Sequence, residues 1–435
     1  MKKDRMILGE NAACSLDSKK TGRNNNILVC GGSGSGKTVS IMEPRLLETS
    51  EDSLIVTVTK RRIVEKYTPF FEARGYKVEE LNFVSPEKSL IAYDPLRYIK
   101  KFQDITYLAT AIVMADGRKE DSHSDPYWDH AAISLFSAEI AYTLATKKNP
   151  TFADVLAFHD RLEISGEYSS NSSIGTTVDE AFSSLPSRGK LNQFARSCWS
   201  SFSSLPGRTA GCVYGTLNTT LDTIFSPELR KMITCGKQIE IEKLGTEKRV
   251  LFMSSSAVNP SLHCFVNLFY AQAIKQLFEF AERQPDGKLP VPVHILCDDF
   301  ATGCRILNFQ DYISVFREKQ ISATLLVQSE SQLAGIYGQS DAKTIINNCD
   351  TYLYFGGMDI ETARHVSERM NLPLEDILCL PIGDVCIFQR GEHPRITQRY
   401  NVNKDARYRK VTAAYEKQVL EKKRLMKKQG EYETA

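Results

Sequence analysis

The sequence lacks any long hydrophobic run and carries little net charge. No stretch of about 18 uninterrupted apolar residues occurs, so we expect no transmembrane helix. The most apolar candidate, residues 265–280, is interrupted by polar side chains and is predicted to form an amphipathic helix. The first fifteen residues have charges but no apolar core after them, which argues against a signal peptide. The net charge of +2 excludes a protein that coats nucleic acid with a uniformly basic surface, but it is compatible with a local basic patch.

The cysteines are scattered and form no recognisable pattern. Eleven cysteines occur without a CxxC pair, and the seven histidines are equally dispersed. Such spacing indicates neither a zinc site nor a disulfide framework, and reduced thiols are the simplest interpretation. We therefore expect a cytoplasmic protein.

Short apolar runs bounded by polar residues and glycine predict buried strands. They lie at residues 26–30, 54–58, 76–83, 249–253, 293–296, 321–327, 351–355 and 385–388. Helix-length segments separate most of them, which is the pattern of an α/β fold with a mostly parallel sheet. Pro44 lies inside the first helical segment and should bend or interrupt it.

One part of the chain has a different pattern. From about residue 104 to residue 162 the apolar spacing is helical, and no strand-like run interrupts it. Residues 165–204 contain 13 serines and are predicted to form a solvated loop system. We expect a discontinuous nucleotide-binding domain over 1–100 and 206–403, an all-α insertion over 101–205, and a basic C-terminal tail over 404–435.

A glycine-rich motif follows the first predicted strand. Residues 31–38, GGSGSGKT, fit the phosphate-loop pattern GxxxxGK[ST]. Glycines let successive backbone N–H groups turn toward phosphate oxygens, and the helix that follows directs its positive end at the anion. We predict that Lys37 reaches the β- and γ-phosphates of ATP and that the Thr38 hydroxyl ligates Mg²⁺. The loop residues expected to bind the nucleotide are Gly31, Gly32, Ser33, Gly34, Ser35, Gly36, Lys37 and Thr38.

A pair of acidic residues ends a predicted strand much later in the chain. The apolar run at 293–296 leads to Asp298 and Asp299. Asp298 is expected to hold the Mg²⁺ shell, and Asp299 to orient or deprotonate the attacking water, which predicts an ATPase. Other P-loop ATPases more often have glutamate at the second position. Because aspartate is shorter, slow hydrolysis is compatible with this motif.

Two polar residues flank the predicted strand at 321–327. Gln328 closes that strand, and since strand ends in such sheets face the nucleotide crevice, it could sense the γ-phosphate. Arg317 precedes the strand and could act as an arginine finger, in cis or across a subunit boundary. On these residues alone, a solvated arginine and a simple polar strand end are equally good interpretations.

In this order, the motifs resemble those of the VirD4/TraG group of type IV secretion coupling proteins, the ATPases of conjugative DNA transfer. The resemblance covers nearly all of residues 7–400. Beyond the phosphate loop it rests on seven segments: ILGENAACSLD, YDPLRYI, DPYWDHAA, GTLNTTLDTIF, ILCDDFATG, QSESQLAGIYG and IINNCDTYLYFGG. A phosphate loop alone would indicate only an NTPase, whereas the series is specific.

The resemblance implies a RecA-like nucleotide domain with an inserted all-α domain, and ATP and Mg²⁺ as cofactors. It implies hexameric rings with ATP bound between subunits, although we expect a monomer in dilute solution. It also implies a motor that brings DNA, single-stranded in our interpretation, and its relaxase to the ATPases and membrane components of a secretion channel. Such a motor would lie at the inner face of the cell membrane. Carried over position by position, the resemblance makes Lys37 and Thr38 the phosphate-loop pair and Asp298 and Asp299 the acidic pair. It makes Gln328 the glutamine after the strand and Arg317 the candidate arginine finger.

The sequence departs from the family pattern in three places. Family members usually carry N-terminal transmembrane helices, whereas this sequence begins almost at the nucleotide domain, as expected of a shortened chain or of a variant that relies on a membrane partner. The family often has Asp-Pro-Lys-Gly-Glu after the second strand, where this chain has Thr59, Lys60 and Arg61. Together with Asp299, this missing acid keeps two alternatives open. One is an ATP-binding docking protein with little hydrolysis, and the other is a P-loop ATPase of another translocation process.

Basic residues cluster in two places. Residues 404–428 carry ten Lys/Arg against three Asp/Glu and are predicted to form a basic helix or a disordered arm. This tail could bind phosphates or an anionic membrane leaflet, or it could be a solubilising helix. The cluster at 60–62 is either a DNA contact or a solvated loop. Trp128 is expected in the core of the helical insertion rather than as a platform for stacking bases.

Overall fold

The structure is a computed structural model that describes residues 4–116, 126–162, 176–234, 236–256 and 260–432. Its strands are β1 (Arg5–Gly9), β2 (Ala12–Ser15), β3 (Ile27–Cys30), β4 (Ser53–Val58), β5 (Lys77–Asn82), β6 (Ile91–Ala92), β7 (Lys237–Gln238), β8 (Arg249–Ser254), β9 (Val293–Cys297), β10 (Ile321–Val327), β11 (Thr351–Tyr354), β12 (Asp384–Gln389) and β13 (Arg395–Gln398). All eight predicted strands are therefore confirmed, within one or two residues at their ends.

The helices separate most of the strands, as the sequence pattern indicates. They are α1 (Ser18–Thr21), α2 (Glu43–Glu48), α3 (Arg62–Glu72), α4 (Phe102–Val113), α5 (Pro126–Thr146), α6 (Phe152–His159), α7 (Thr176–Ser183), α8 (Lys190–Ser203), α9 (Gly207–Ile224), α10 (Pro227–Thr234), α11 (Pro260–Glu282), α12 (Phe309–Lys319), α13 (Glu330–Asn347), α14 (Ile360–Met370), α15 (Leu374–Leu378) and α16 (Ala406–Tyr432). Within the described ranges, no helix combines the length and the apolar character needed to cross a bilayer.

The centre of the fold is a nine-stranded sheet in the order β13-β12-β11-β3-β10-β9-β4-β8-β5. The seven strands from β11 to β5 are parallel, and β12 and β13 continue one edge in antiparallel fashion. Parallel strands are joined by crossover helices, which cover both faces of the sheet. The predicted α/β class with a mostly parallel sheet is confirmed.

Two hydrophobic cores lie on opposite faces of this sheet. Alternate side chains of β3 point to opposite sides, so Leu28 and Cys30 join one core while Ile27 and Val29 join the other. The first core continues into the helical region through α11, and the second lies under α2, α3 and the β1–β2 hairpin. The central strands β3, β4, β8, β9 and β11 are buried on both faces, which explains why their sequences are short and mostly apolar runs.

The helical region extends further than the sequence pattern indicates. Helices α9 and α10 pack against α5 and α6, and the run of helices ends at Thr234 rather than at residue 205. We therefore propose to draw the second boundary of the insertion near residue 235. The core side chains of α9, including Val213, Leu217 and Leu221, recur at helical spacing and face the other insertion helices.

The prediction of a loop system over 165–204 is wrong in two described segments. Residues 176–183 and 190–203 form α7 and α8. In α8 the serines alternate with apolar residues, and Ala195, Trp199 and Phe202 are buried on one face. Helical spacing of those three residues outweighs the poor helix propensity of serine, because burial of an amphipathic face supplies most helical stability in proteins. Residues 163–175 lie outside the described ranges.

The core prediction for Trp128 is also wrong. Its side chain is 36% exposed and packs edge-on against Tyr127, whereas Trp199 is only 5% exposed. Trp199 stacks on Phe182 with ring centroids 4.6 Å apart, and its indole N–H donates to Asp179. The aromatic core of the helical region is therefore built around Trp199.

Candidate nucleotide site

The site lies at the edge of the sheet where the parallel strands end. The last residues of β3, β9 and β10 are Cys30, Cys297 and Val327; Val327 pairs with Cys30, and Cys297 pairs with Leu325, two residues before the end of β10. Ligands in open α/β sheets bind at this carboxyl edge. The topology therefore brings together the loop at 31–38, the acidic pair after β9, and Gln328. The acidic pair follows the start of the loop by about 270 residues, and Gln328 follows the pair by about 30.

Backbone hydrogen bonds hold the glycine-rich loop against two neighbouring strands. The Gly31 N–H donates to Val327 O at 3.2 Å, and the Gly32 N–H donates to Gly356 O at 2.9 Å. Gly36 has a φ of +94°, a conformation that favours glycine. Glycine at position 36 therefore allows the backbone conformation that the loop adopts.

The helix after the loop begins irregularly. Residues Thr38–Met42 form a π-helical turn, and α2 starts at Glu43 with Pro44 in its first turn. Proline lacks an N–H and is tolerated at this position; the helix changes from π-type to α-type hydrogen bonding here, while the backbone stays helical, so it is not interrupted. Single π-turns in helices occur frequently at functional sites.

Lys37 is folded over its own loop. Its ammonium donates to the carbonyl oxygens of Gly31 and Gly32, the latter at 3.1 Å. Burial lowers the pKa of Lys37, while the nearby carboxylates of Asp299 and Asp298 act in the opposite direction. A partly desolvated cation here is suited to an anionic ligand, since phosphate oxygens would replace the carbonyl acceptors.

Thr38 and Asp298 meet across the site. The Thr38 hydroxyl lies 3.3 Å from each carboxylate oxygen of Asp298, although 260 residues separate them in sequence. A hydroxyl and a carboxylate are the hard oxygen ligands that Mg²⁺ prefers. The chemistry of this pair therefore fits the predicted Mg²⁺ ligands.

In the acidic pair, the surroundings of Asp298 disfavour its charged form, and the backbone of Asp299 has an uncommon conformation. Burial, and after it the neighbouring Asp299 carboxylate, raises the pKa of Asp298 to about 6 against the opposing effects of Lys37, Thr38 and Lys60. Asp299 has a φ of +54°, a left-handed conformation that is uncommon for residues other than glycine and that aspartate tolerates better than most. Such departures from local preference occur often at functional sites.

Gln328 lies beside the loop, whereas Arg317 does not. Gln328 follows the last residue of β10, and its backbone N–H donates to Gln332 Oε1 while its side chain is exposed. Arg317 lies on α12 before β10, where its guanidinium donates to Gly22 O at 2.9 Å and to Ser18 O at 3.4 Å. The seven residues of β10 separate the two edges by about 20 Å at 3.3 Å per residue. Arg317 therefore does not reach the phosphate loop of its own chain.

The structure adds residues that no sequence pattern indicates. Arg399, just after β13, donates to Ser35 O at 3.0 Å and lies 2.6 Å from the point where a Cβ on Gly36 would be. It lines a cleft of about 560 Å³ beside the loop, together with Glu10, Val39, Ser40, Asp384, Tyr400, Asn401 and Lys404. Val39 and Ser40 directly follow the phosphate loop, whereas the other residues come from the β1–β2 turn, the start of β12 and the segment after β13, and no fixed spacing links those to the loop.

The sequence matches one family over most of its length. Residues 1–371 match the profile of the family described as Type IV secretory system Conjugative DNA transfer. No curated protein sequence matches the chain.

Several solved structures share this fold. The bacterial conjugative coupling protein TrwBdeltaN70, in an unbound monoclinic form, matches with a TM-score of 0.67 at 14% identity, covering 92% of this chain and 89% of that one. The plasmid coupling protein TrwB in complex with ADP and Mg²⁺ gives 0.64 at 16%, covering 86% and 85%. VirB4 of Thermoanaerobacter pseudethanolicus gives 0.57 at 11%, covering 92% and 96%. The RecA-like P-loop fold is thus confirmed.

Proposed function

The chain belongs to the type IV secretory system family of conjugative DNA transfer proteins, and from this premise we propose that it is an ATP-hydrolysing coupling motor. The observation that carries the proposal is the meeting of Thr38 and Asp298 at the glycine-rich loop. Conjugative transfer requires directed movement of a charged polymer, and nucleotide turnover at this site would supply the free energy for it.

Each residue of the site would have a distinct role in ATP hydrolysis. The loop amides and Lys37 would bind the β- and γ-phosphates, and Thr38 with Asp298 would hold Mg²⁺. A divalent cation beside Asp298 would favour its charged form and so offset the effect of burial on its pKa. Asp299 would orient the attacking water, and Gln328 would contact the γ-phosphate from the end of the neighbouring strand.

The cleft beside the loop is suited to the rest of the nucleotide. Arg399 and Tyr400 offer a guanidinium and a ring for stacking, and Asn401 offers an amide for hydrogen bonding. The cleft opens at Gly36 and Ser40, directly beside the phosphate loop. We place the base and ribose of ATP there.

Arg317 would complete the site of a neighbouring subunit. Because it lies at the opposite edge of its own sheet, the cis alternative is disfavoured and action across a subunit boundary is proposed. The working form would then be a ring, which we take to be a hexamer, assembling from monomers on DNA or at the membrane. Its partners would be single-stranded DNA, a relaxase, and the ATPases and membrane components of a secretion channel. We place the protein in the cytoplasm, at the inner face of the membrane.

Mixing two inactive variants tests this arrangement. Lys37→Ala removes phosphate binding, and Arg317→Ala removes the finger, so each protein alone should lose most ATPase activity. In a mixed ring, a subunit with an intact loop can meet a neighbour with an intact Arg317, so activity should return on mixing. Arg283→Ala, which removes another exposed arginine that pairs with Glu242, is the matched control and should leave ATPase activity unchanged. Full activity of Arg317→Ala alone would contradict the trans arrangement.

A docking protein that binds ATP but scarcely hydrolyses it is the second candidate. Two observations favour it: Asp299, in place of glutamate, has a left-handed backbone, and Lys60, in the segment from which one family acid is missing, lies close enough to Asp298 to lower its pKa. Tight nucleotide binding without turnover in the wild type, with turnover gained in Asp299→Glu, would support this candidate over the motor.

A further inference from the structure

The C-terminal helix α16 is anchored over only part of its length. Near its start, the Tyr408 ring lies beneath the Lys66 ammonium, 3.6 Å from ring centroid to nitrogen, and Arg407 pairs with Glu48 and Asp405. Further on, the Tyr415 hydroxyl donates to Glu65 at 3.5 Å. The helix thus lies along α3, and its half-buried positions recur at helical spacing: 408, 411, 412, 415 and 419.

The direction of α16 brings its distal part to the start of α3. Tyr408 contacts Lys66, whereas Tyr415 and Lys422 contact Glu65, with the Lys422 ammonium 3.9 Å from the carboxylate. Arg61 shares that same carboxylate at 3.7 Å. Two basic stretches that lie about 360 residues apart in sequence, 60–62 and 422–424, therefore converge on one surface.

This surface is strongly basic and contains exposed leucines. We call it the distal surface and define it as residues 60–62 together with 417–425. Glu65, Glu80, Glu416 and Glu421 offset part of its charge, but the cations outnumber them: Lys60, Arg61, Arg62, Lys417, Lys422, Lys423 and Arg424. Leu420 is 57% exposed and Leu425 is 62% exposed, on either side of the cations at 422–424.

We propose that the distal surface binds the anionic surface of a lipid bilayer. Lysine and arginine near a helix end bind acidic headgroups, and leucines between them enter the boundary between headgroups and acyl chains. Nucleic acid would use the cations in the same way but offers no favourable environment for Leu420 and Leu425, because its phosphate backbone is polar. The leucines are therefore what favours a membrane over DNA as the partner.

This inference rests on the proposed location at the membrane, but it is independent of ATP turnover. It deepens that proposal by naming the surface that makes the contact and the lipid chemistry it needs. An ATPase assay on the same protein separates the two: loss of lipid binding with normal ATPase activity bears on this inference alone.

Vesicle sedimentation with the full chain tests the proposal. Phosphatidylcholine vesicles containing about a third phosphatidylglycerol should bind the protein at least tenfold more tightly than pure phosphatidylcholine vesicles. A triple variant, Lys422→Gln, Lys423→Gln and Arg424→Gln, should lose most of this binding. The matched control removes the same charge elsewhere and should keep it: Lys148→Gln, Arg188→Gln and Lys190→Gln.

A leucine variant decides between membrane and nucleic acid. Leu420→Ser with Leu425→Ser leaves every charge in place, and both side chains are exposed, so the fold should be retained. We expect binding to the anionic vesicles to weaken roughly tenfold, while binding of a single-stranded oligonucleotide changes less than about twofold. Unchanged vesicle binding in this variant, or equal binding of wild type to neutral and anionic vesicles, would overturn the proposal. Vesicle binding by the control variant as weak as that of the triple variant would do the same.

Discussion

Replacing Asp298 by asparagine should make the protein more stable and, at the same time, unable to use Mg²⁺. Burial and the Asp299 carboxylate raise the pKa of Asp298 to about 6. The unfolded chain would ionise this group near pH 3.8. Ionisation of Asp298 therefore costs the folded state free energy at neutral pH, and Asp298→Asn removes that cost.

The magnitude follows from the two pKa values. One pKa unit corresponds to about 1.4 kcal/mol, so the cost approaches about 3 kcal/mol well above pH 6 and falls to roughly half of that near pH 5. Because the pKa of this carboxyl is higher in the folded than in the unfolded state, the destabilisation is absent below the pKa of the unfolded state. It is fully present above the pKa of the folded state. The stability gain of the variant should thus grow from about pH 4 to about pH 7 and then level off.

Urea and thermal unfolding at several pH values measure this gain. Asp299→Asn is the matched control, since asparagine also tolerates the left-handed backbone there, and it should stabilise less because burial is the larger cause at Asp298. Added Mg²⁺ and ATP should raise the melting temperature of the wild type but not of Asp298→Asn. A variant no more stable than the wild type near pH 7.5, or a gain independent of pH, would refute the reasoning.

Three further predictions concern single side chains. Arg399→Ala should weaken ATP binding about tenfold in a nucleotide titration, since a charged hydrogen-bond donor beside the loop is removed; unaltered affinity would exclude a role for the cleft. Trp199→Ala should cost about 3–5 kcal/mol of unfolding free energy and Trp128→Ala less than about 1, with the reverse order contradicting the described core. Burial holds the pKa of His294 well below its usual value. Below about pH 6.5 the unfolded chain therefore takes up a proton at this residue that the folded protein does not, and the free energy of unfolding falls. Urea midpoints of His294→Gln should therefore fall less steeply with acid than those of the wild type; identical slopes would argue against this.

Local motifs could be predicted from the sequence because their physics is local. The central strands are buried on both faces and appear as mostly apolar runs, and the phosphate loop needs its glycines, Lys37 and Thr38 at fixed spacing. Asp298 could be paired with the loop because strand ends share one edge of a parallel sheet. These predictions depend on neighbours in sequence or on one general rule of topology.

Contacts made by distant hairpins and helices could not be predicted in this way. Arg399 reaches Ser35 only because the antiparallel β12–β13 pair continues the sheet beyond β11, the neighbour of β3, and nothing near the loop encodes that contact. Composition was misleading in α8, where serine frequency concealed the helical spacing around Trp199. Arg317 precedes β10, which suggested an arginine finger, yet α12 places it at the far edge of the sheet.

ATP hydrolysis with and without single-stranded DNA tests the central claim most directly. The account predicts that the wild type hydrolyses ATP in the presence of Mg²⁺, that single-stranded DNA increases the rate, and that Lys37→Ala abolishes the activity under both conditions. Absence of hydrolysis by the wild type, even at high protein concentration and with DNA present, would contradict the motor.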